Sequence, residues 1–344
     1  MKPITIVGGG LAGLTLGIGL RQRGVPVSVI EAGQYPRHRV CGEFISGRGQ
    51  ETLTRLSLTE PLRQAGMRTA TTAIFFSTRG RETAQILPQS AWCVSRFVLD
   101  ELLARELQRL GGKLRFGERW TKPSFPEGVV RATGRRGEPV VEGWRLFALK
   151  AHAQNVKLRA DLEMHLVPNG YVGLCQLADG VVNVCGLFRS RTTVPDLPSH
   201  WRDWLRGPTD SALRTRLGEA EFIAESFSFV AGLSLRPQQA VARAECCIGD
   251  ALTMIPPVTG NGMSMAFESA ELALEPLAAF SRNEIPWATA QHQIATRCDE
   301  EFAGRLKWAS WLQRGLFHPT GQALLSFLAG RRGGLWRGLF ARTR

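Results

Sequence analysis

Residues 4–20 of the chain read ITIVGGGLAGLTLGIGL and contain the pattern that decides the fold. The first four residues are β-branched and predict a short buried strand. Gly8, Gly10 and Gly13 follow in the spacing G-x-G-x-x-G, and the apolar run from Leu11 predicts a helix. In such a unit the first glycine permits a tight turn, the second lets the backbone approach a pyrophosphate, and the third allows close helix–strand packing. The stretch therefore predicts a dinucleotide site at a helix N-terminus, where free N–H groups and the dipole favour phosphate.

The chain after this helix completes a βαβ unit. Residues 25–30, VPVSVI, predict a second strand, which ends at Glu31. A carboxylate at this position accepts hydrogen bonds from a ribose diol and repels a 2′-phosphate, so the site favours FAD or NAD over NADP. A lone G-x-G-x-x-G is weak evidence. Here the strand, helix and acid around it make a glycine-rich turn without a ligand the less favoured interpretation.

A second glycine-rich stretch, residues 249–270, reads GDALTMIPPVTGNGMSMAFESA. Residues 245–248, ECCI, predict a strand before it, and Asp250 at the end of that strand can hold a polyol such as the ribityl chain of a flavin. In the loop 256–262 two prolines restrict the backbone, and two glycines let it approach a flat ring. The helix predicted from Met263 onward can stabilise negative charge on a reduced isoalloxazine. This stretch favours FAD over NAD.

Three motifs, in this order, resemble FAD-dependent oxidoreductases of the para-hydroxybenzoate hydroxylase fold. They are the G-x-G-x-x-G with Glu31, the stretch VSRFVLDELL with Arg96, and GDA…PP…GNGM. Residues 35–46, YPRHRVCGEFIS, resemble the branch close to the geranylgeranyl reductases. The resemblance extends from Met1 to about residue 280. It implies an α/β fold with a Rossmann-like FAD-binding domain of the GR2 type, an inserted antiparallel-sheet substrate domain and a C-terminal helical segment.

The resemblance also implies which residues contact the cofactor. Arg37 and Arg39 would lie near the phosphates or the flavin edge, and the loop 256–262 would lie over the flavin ring. The implied catalytic residues are Cys41, Pro257, Gly260 and Gly262. The implied cofactor-binding residues are Gly8, Gly10, Leu11, Ala12, Gly13, Glu31, Ala32, Arg39, Cys41, Gly42, Arg96, Thr133, Gly134, Gly249, Asp250, Pro257, Gly260, Asn261, Gly262 and Met263. The alternative for Arg96 is a solvated charge at a helix start.

Cys41 and Glu43 each have two interpretations. In the reductase branch, a cysteine before a glycine lies near the flavin and assists proton delivery, and a thiol with a pKa of about 8.5 can donate a proton. The alternative for Cys41 is a small cysteine that packs in the core. Glu43 is either an acid–base group or a charge at the rim of the site.

The sequence departs from the family at three points. Thr133, in RATGRR, replaces the acid of the G-A-D-G stretch of family hydroxylases, although Gly134 is kept. Gly173 stands where geranylgeranyl reductases have a tryptophan, although Tyr171 is kept. The W-x-W-x-I-P motif of flavin halogenases is absent, so halogenation is not expected. A second G-x-G-x-x-G is also missing, so NAD(P)H would act as a transient reductant without a Rossmann domain of its own.

The order of predicted elements divides the chain into two interleaved domains. Residues 1–70, 93–137 and 238–300 are predicted to form the discontinuous FAD-binding domain, 71–92 and 138–237 the substrate domain, and 301–344 a basic helical segment. Strands are predicted within 71–78, 141–153, 162–168, 170–177 and 180–188, and helices within 99–112, 198–207 and 209–220.

Composition and charge limit the environment. The 344 residues carry a formal net charge of +13 and are 44% hydrophobic, enough for a sizeable core. Seven cysteines without a CxxC pair or ligand-like spacing predict no metal site and a reducing compartment. No leader or membrane-spanning segment is evident, and no nucleic-acid motif accompanies the charge. We therefore predict a cytoplasmic protein with a small-molecule partner and no nucleic-acid partner.

The C-terminal segment leaves a second location open. Residues 302–344 contain no Asp or Glu, and a basic, Trp-rich amphipathic segment can lie on an anionic membrane. The favoured alternative is a pair of helices packed on the FAD-binding domain. Lys and Arg recur in this segment between large apolar residues that include Trp308, Trp311, Leu312, Leu316, Phe317, Leu324, Leu325, Phe327, Leu328, Trp336, Leu339 and Phe340.

The leading functional hypothesis is an FAD-dependent monooxygenase that uses NAD(P)H and O₂ to hydroxylate an aromatic or polyketide-like, lipophilic molecule. The alternative is a flavin-dependent reductase of an isolated alkene, such as a prenyl chain. A third hypothesis, a non-enzymatic escort protein of the same fold, conflicts with the intact glycine motif. His152 and His165 are candidates for polar groups in the substrate pocket, since each lies on a predicted strand.

Overall fold

The computed structural model describes residues 1–78, 80–135, 137, 140–194, 197–318, 321–322 and 338. The strands are β1 (Ile4–Val7), β2 (Val27–Glu31), β3 (Phe44–Ile45), β4 (Arg68–Phe76), β5 (Glu82–Cys93), β6 (Lys113–Phe116), β7 (Val129–Arg131), β8 (Arg145–Gln154), β9 (Leu162–Val167), β10 (Gly170–Gln176), β11 (Val182–Ser190) and β12 (Glu221–Ala231). The α-helices are α1 (Leu11–Gln22), α2 (Arg48–Arg55), α3 (Thr59–Gln64), α4 (Arg96–Arg109), α5 (Leu197–Arg206), α6 (Ala212–Arg216), α7 (Gly262–Ser281) and α8 (Trp287–Leu316).

The N-terminal βαβ unit forms the centre of a parallel sheet with the strand order β6-β2-β1-β7. Ten of the twelve residues of α1 are buried, because this helix packs between the sheet and α7. A helix that is apolar on all sides belongs in a core. The helix ends at Gln22, and Gly24 has the positive φ of 75° that reverses the chain into β2. The predicted Rossmann-like unit is therefore confirmed.

The second sheet has the order β12-β8-β11-β10-β9-β4-β5-β3 and is antiparallel except for the β4–β9 pair. Its strands alternate between two faces, as the period of two requires. Leu149 and Ala151 of β8 belong to a core that α5 and α6 cover. Ala148 and Lys150 lie on the opposite face of the second sheet, which is directed toward the parallel sheet. That opposite face carries the residues of the site.

The predicted division of the chain can be compared with the strands of the two sheets. Strands β4 and β5 lie in the second sheet with β8–β12, as the predicted insertion requires, and the FAD-binding region also contributes Phe44 and Ile45 of β3 to it. The domain boundaries themselves stay a proposal. Residues 245–248 were predicted as a strand. The structure instead has a single parallel bridge between Arg131 and Cys247, because β7 is only three residues long and ends at Arg131.

The C-terminal segment is helical up to Leu316, where α8 ends. The structure does not describe residues 319–320, 323–337 and 339–344, so most of the predicted membrane-facing residues lie outside the described part. Among the residues that the structure describes, no helix is long and apolar enough to cross a bilayer. Helix α8 packs on α7 through a buried ion pair between Arg305 and Glu268.

Candidate active site

A cavity of about 1760 Å³ lies between the parallel sheet and the inner face of the second sheet. Its floor is formed by the turns that follow β1, β2 and β7 and by the first turns of α1 and α7. A typical small-molecule pocket has a volume of roughly 300–1,000 Å³. The cavity therefore has room for a dinucleotide and a second small molecule.

Most predicted cofactor-binding residues line this one cavity, although they come from distant parts of the chain. The residues that line it are Gly8, Gly10, Leu11, Ala12, Glu31, Ala32, Arg39, Cys41, Gly42, Arg96, Thr133, Gly134, Gly249, Asp250, Pro257, Gly260, Gly262 and Met263. Gly13 and Asn261 are not among the lining residues. A Cβ at Gly13 would lie 1.9 Å from the carbonyl oxygen of Gly8, so this glycine allows the close helix–strand approach. The Asn261 side chain is buried and accepts a hydrogen bond from Ser46 Oγ at 3.1 Å.

Three glycines on the floor leave open space above the backbone. A Cβ added at Gly10, Gly134 or Gly262 would meet no heavy atom of the described residues within 4 Å. Gly10 precedes α1, and Gly262 begins α7; neither helix has a side-chain hydrogen bond capping its N-terminus. Unpaired N–H groups at two helix N-termini thus face the same cavity, and each end favours negative charge. A dinucleotide with a pyrophosphate near Gly10 fits this arrangement.

Glu31 lies at the carboxyl end of β2 and is held by three donors. Its Oε2 accepts from Gly9 N–H at 2.7 Å, and its Oε1 accepts from Gly33 N–H and Arg37 Nη1, each at 2.7 Å. Burial raises the pKa of Glu31, but the hydrogen bonds from Arg37, Gly33 and Gly9 outweigh it and lower the pKa to about 2. The carboxylate is therefore ionised and oriented, as a ribose acceptor requires.

The shifted pKa of Glu31 predicts an acid dependence of stability. Because the folded pKa lies below the unfolded value of about 4.3, the stabilisation is present above that value and is lost as the pH falls toward 2. Between pH 6 and pH 3.5 we expect the stability gap between wild type and Glu31→Gln to shrink by about 1 kcal/mol. Urea unfolding at the two pH values measures it. Glu127→Gln, which removes an exposed partner of Lys2, is the control. A gap that stays constant would contradict the assignment.

Arginine side chains surround the carboxylate of Asp250. Burial raises the pKa of Asp250, while Arg135 and Arg96 act to lower it. Among the described residues no group donates a hydrogen bond to its carboxylate, which leaves both oxygens available to a polyol. Arg96 binds Asp100 with two hydrogen bonds of 2.7 and 2.9 Å, and its side chain is only 13% exposed. The alternative of a solvated charge at Arg96 is therefore wrong.

Cys41 and Glu43 differ in their relation to the cavity. Cys41 lines it, and burial raises the pKa of its thiol, so the sulfur stays protonated at neutral pH. Glu43 is fully buried and lies behind the wall, so it is not a charge at the rim. Burial raises its pKa, but the hydrogen bond with His152 and the charge of Lys150 outweigh this effect and lower it. Glu43 is thus an ionised group inside the protein.

The two candidate histidines do not line the cavity. His152 Nε2 lies 2.6 Å from Glu43 Oε2, and His165 Nε2 lies 2.9 Å from Glu163 Oε2. The His165 ring also stacks on Phe76 at 4.2 Å. Each imidazole thus has a carboxylate partner at Nε2, whereas His165 Nδ1 is buried without a hydrogen-bond partner among the described residues.

Sequence reasoning missed His38 and Lys150. His38 lines the cavity, and Lys150 lies directly behind it with its Nζ 3.1 Å from His38 Nδ1. A signal was present in the β8 sequence FALKAHAQ, where Lys150 and His152 alternate with small apolar residues. Such alternation places both polar side chains on one face of the strand.

Comparison with known proteins identifies the cofactor class. The family model described as "FAD binding domain" matches residues 1–138. Kynurenine 3-monooxygenase of Dictyostelium discoideum is 48% identical over 58 residues, which are 16% of this chain and 13% of that protein. The match thus spans only a small part of the relative's length. The site and the family-model match over residues 1–138 define an FAD-binding protein.

Solved structures define the fold. The flavin-dependent brominase Bmp2 is 18% identical to this chain and superimposes with a TM-score of 0.76. The match covers 99% of this chain and 92% of the brominase chain. A geranylgeranyl bacteriochlorophyll reductase-like protein of Thermoplasma acidophilum is 16% identical with a TM-score of 0.76, covering 99% and 95%. The chain therefore has the para-hydroxybenzoate hydroxylase fold. The family-model match over residues 1–138 gives FAD as its cofactor. The predictions of the fold and of the cofactor are confirmed.

Proposed function

We propose that the protein is an FAD-dependent monooxygenase that hydroxylates a lipophilic, aromatic or polyketide-like small molecule with NAD(P)H and O₂. The observation that carries the proposal is the continuity of one cavity from the dinucleotide-binding floor to an apolar roof. The domain match to an FAD-binding family and the local likeness to a monooxygenase support it.

The roof favours an apolar substrate. It is formed by the inner face of the second sheet and includes Met164, Leu166, Tyr171, Leu187 and Val230. Burial of apolar surface against such a wall contributes about 25 cal/mol per Å² to binding. The same wall excludes water, and electrostatic interactions inside a dry site are stronger than in solution.

The chain's own groups complete the site. When bound, FAD supplies electron transfer from the reductant and the activation of O₂. The unpaired N–H groups that begin α7 stabilise negative charge that develops beside them. Gly260 has a φ of 68°, and a Cβ there would lie 2.1 Å from Phe44 Cζ, so only glycine lets the loop 256–262 take this path. Among the described residues, Pro257, Gly260 and Gly262 place backbone, rather than a reactive side chain, at the cavity wall.

A second candidate function is the reduction of an isolated alkene. Cys41 and Gly42 both line the cavity, and the raised pKa keeps the Cys41 thiol protonated, as a proton donor requires. The fold is also that of a geranylgeranyl bacteriochlorophyll reductase-like protein. Gly173, which lines the roof without a side chain, argues against a tryptophan-lined prenyl site.

NADPH oxidation in air and under argon separates the two functions. We expect the purified protein to be yellow, and phenolic compounds to accelerate NADPH oxidation in air with one hydroxylated product per O₂ consumed. Geranylgeraniol is the probe for the alternative, with its saturated products measured under argon. Alkene reduction under argon, without stimulation by phenols in air, would overturn the monooxygenase proposal. The Cys41→Ala variant should abolish only the alkene reaction.

A further inference from the structure

A buried polar cluster lies directly behind the cavity wall. Lys150 of β8 has a side chain with 0% exposure, and its Nζ lies 3.4 Å from Glu43 Oε1 and 3.1 Å from His38 Nδ1. The other oxygen of Glu43 lies 2.6 Å from His152 Nε2. Burying an ion pair costs desolvation free energy, and apolar side chains of the same volume would avoid that cost. The cluster is placed where the second sheet meets the segment that carries Cys41, so a role at the cavity is indicated.

His38 is the member of this cluster that reaches the cavity. Its ring stacks on Phe97 at 4.6 Å and meets the edge of the His152 ring at 5.1 Å, so its plane is fixed from two sides. Burial and the charges of Lys150 and His152, against the opposing charge of Glu43, lower the pKa of His38 to about 4. The imidazole is therefore neutral at pH 7.

The neighbour at Nδ1 decides which tautomer this neutral ring adopts. Burial lowers the pKa of Lys150, and the Glu43 carboxylate 3.4 Å away opposes this effect. In the protonated state that Glu43 favours, the ammonium group has donors only, so His38 Nδ1 accepts from Lys150 Nζ. The ring proton then lies on Nε2. In the part of the chain that the structure describes, no group accepts a hydrogen bond from that Nε2–H. A fixed donor without a protein partner is thus available at the cavity wall.

We propose that His38 is a substrate-binding residue whose Nε2–H donates a hydrogen bond to an oxygen of the substrate, and that Lys150 is the positioning residue that fixes its tautomer. Glu43 holds Lys150 in turn. The oxygen is a carbonyl, carboxylate or phenolate, because each accepts without donating. This inference rests on the proposed function, since it takes the occupant to be the substrate of that reaction. In a largely apolar pocket one such donor orients the ligand and discriminates against molecules without an acceptor.

The first test compares benzoate with toluene, which has the same ring and no oxygen. Calorimetric titrations use the FAD-loaded full-length protein and its His38→Phe variant, which keeps a ring to stack on Phe97. We expect the variant to bind benzoate about tenfold more weakly and toluene equally well. An equal loss of affinity for both ligands would overturn the assignment of His38. An unchanged affinity of the variant for benzoate, or no binding of benzoate to the wild type, would overturn it as well.

The second test reads the tautomer directly. Nitrogen-15 NMR of histidine-labelled protein, with His38 signals assigned from the variant, should show the proton on Nε2 in wild type. Lys150→Met should abolish this preference and weaken benzoate binding. The double variant Lys150→Met/Glu43→Gln avoids a buried carboxylate that has lost its ammonium partner, and it should give the same result. A proton on His38 Nδ1 in the wild-type protein would contradict the role of Lys150. The same tautomer in the double variant as in the wild type would also contradict it. Neither test involves turnover, so an absence of O₂-dependent hydroxylation would count against the proposed function alone.

Discussion

Replacement of Gly10 by valine is expected to weaken FAD binding strongly while the protein stays folded. The φ of −82° at Gly10 is open to any residue, and an added Cβ would meet no protein atom within 4 Å. The side chain would instead occupy the space next to the free N–H groups of α1. A charge-assisted hydrogen bond contributes about 1.5–3 kcal/mol, so the loss of two weakens FAD binding about a hundredfold or more. Flavin fluorescence titration of the apoprotein measures this change.

Two further glycines make the comparison specific. In the described part of the chain, an added Cβ at Gly304 on α8 also meets no atom within 4 Å, and Gly304 does not line the cavity. Gly304→Val should therefore bind FAD like wild type. Gly13→Ala should instead unfold or fail to express, because its Cβ would lie 1.9 Å from the Gly8 carbonyl oxygen. If Gly10→Val retained wild-type FAD affinity, the pyrophosphate would have to lie away from α1, and the proposed orientation of the cofactor would be wrong.

The floor of the site was predictable from sequence because it is built from local backbone patterns. Gly8, Gly10 and Glu31 act through a turn, a helix end and a strand end, each set by neighbouring residues. The roof was less predictable, since its strands pair across long separations. The sequence predicts strands within 170–177 and 180–188. Which face of β10 and β11 meets the cavity is decided by the long-range pairing of β11 with β8, which lies between β11 and β12 in the sheet.

The polar cluster shows the same limit more sharply. Lys150 and Glu43 are separated by more than a hundred residues, and only the packing of β8 against the segment before β3 brings them together. From sequence, Glu43 could as well have been a charge at the rim. A buried charge leaves no periodic signal, because its position is decided by a partner elsewhere in the chain rather than by its neighbours.

Replacement of Arg305 by methionine is expected to cause a large loss of stability in a protein that still folds. Arg305 of α8 donates two hydrogen bonds to Glu268 of α7, at 2.9 and 2.7 Å, and one to Glu301 at 2.6 Å. The side chains of Arg305 and Glu268 are only 6% and 5% exposed. Removing one partner of a buried ion pair leaves an uncompensated charge and costs about 3–5 kcal/mol. Urea unfolding at pH 7 measures this loss.

The matched controls separate burial from charge. Arg282→Met removes the exposed pair with Glu284 and should cost less than about 1 kcal/mol. The double variant Arg305→Met/Glu268→Met should recover most of the lost stability, because no unpaired charge remains in the core. A double variant as unstable as Arg305→Met would mean that the pair acts through shape rather than charge.

The pH dependence of Arg305→Met provides an independent check on the same ion pair. Burial raises the pKa of Glu268, and Arg305 opposes that effect. Without Arg305 the folded pKa rises further above the unfolded value of about 4.3. A carboxyl whose folded pKa is raised destabilises the protein above the unfolded pKa and not below it. The deficit of Arg305→Met relative to wild type should therefore be largest at neutral pH and shrink as the pH falls toward 4. Because α7 begins at the cavity floor, the same variant should also weaken FAD binding at pH 7, whereas Arg282→Met should not.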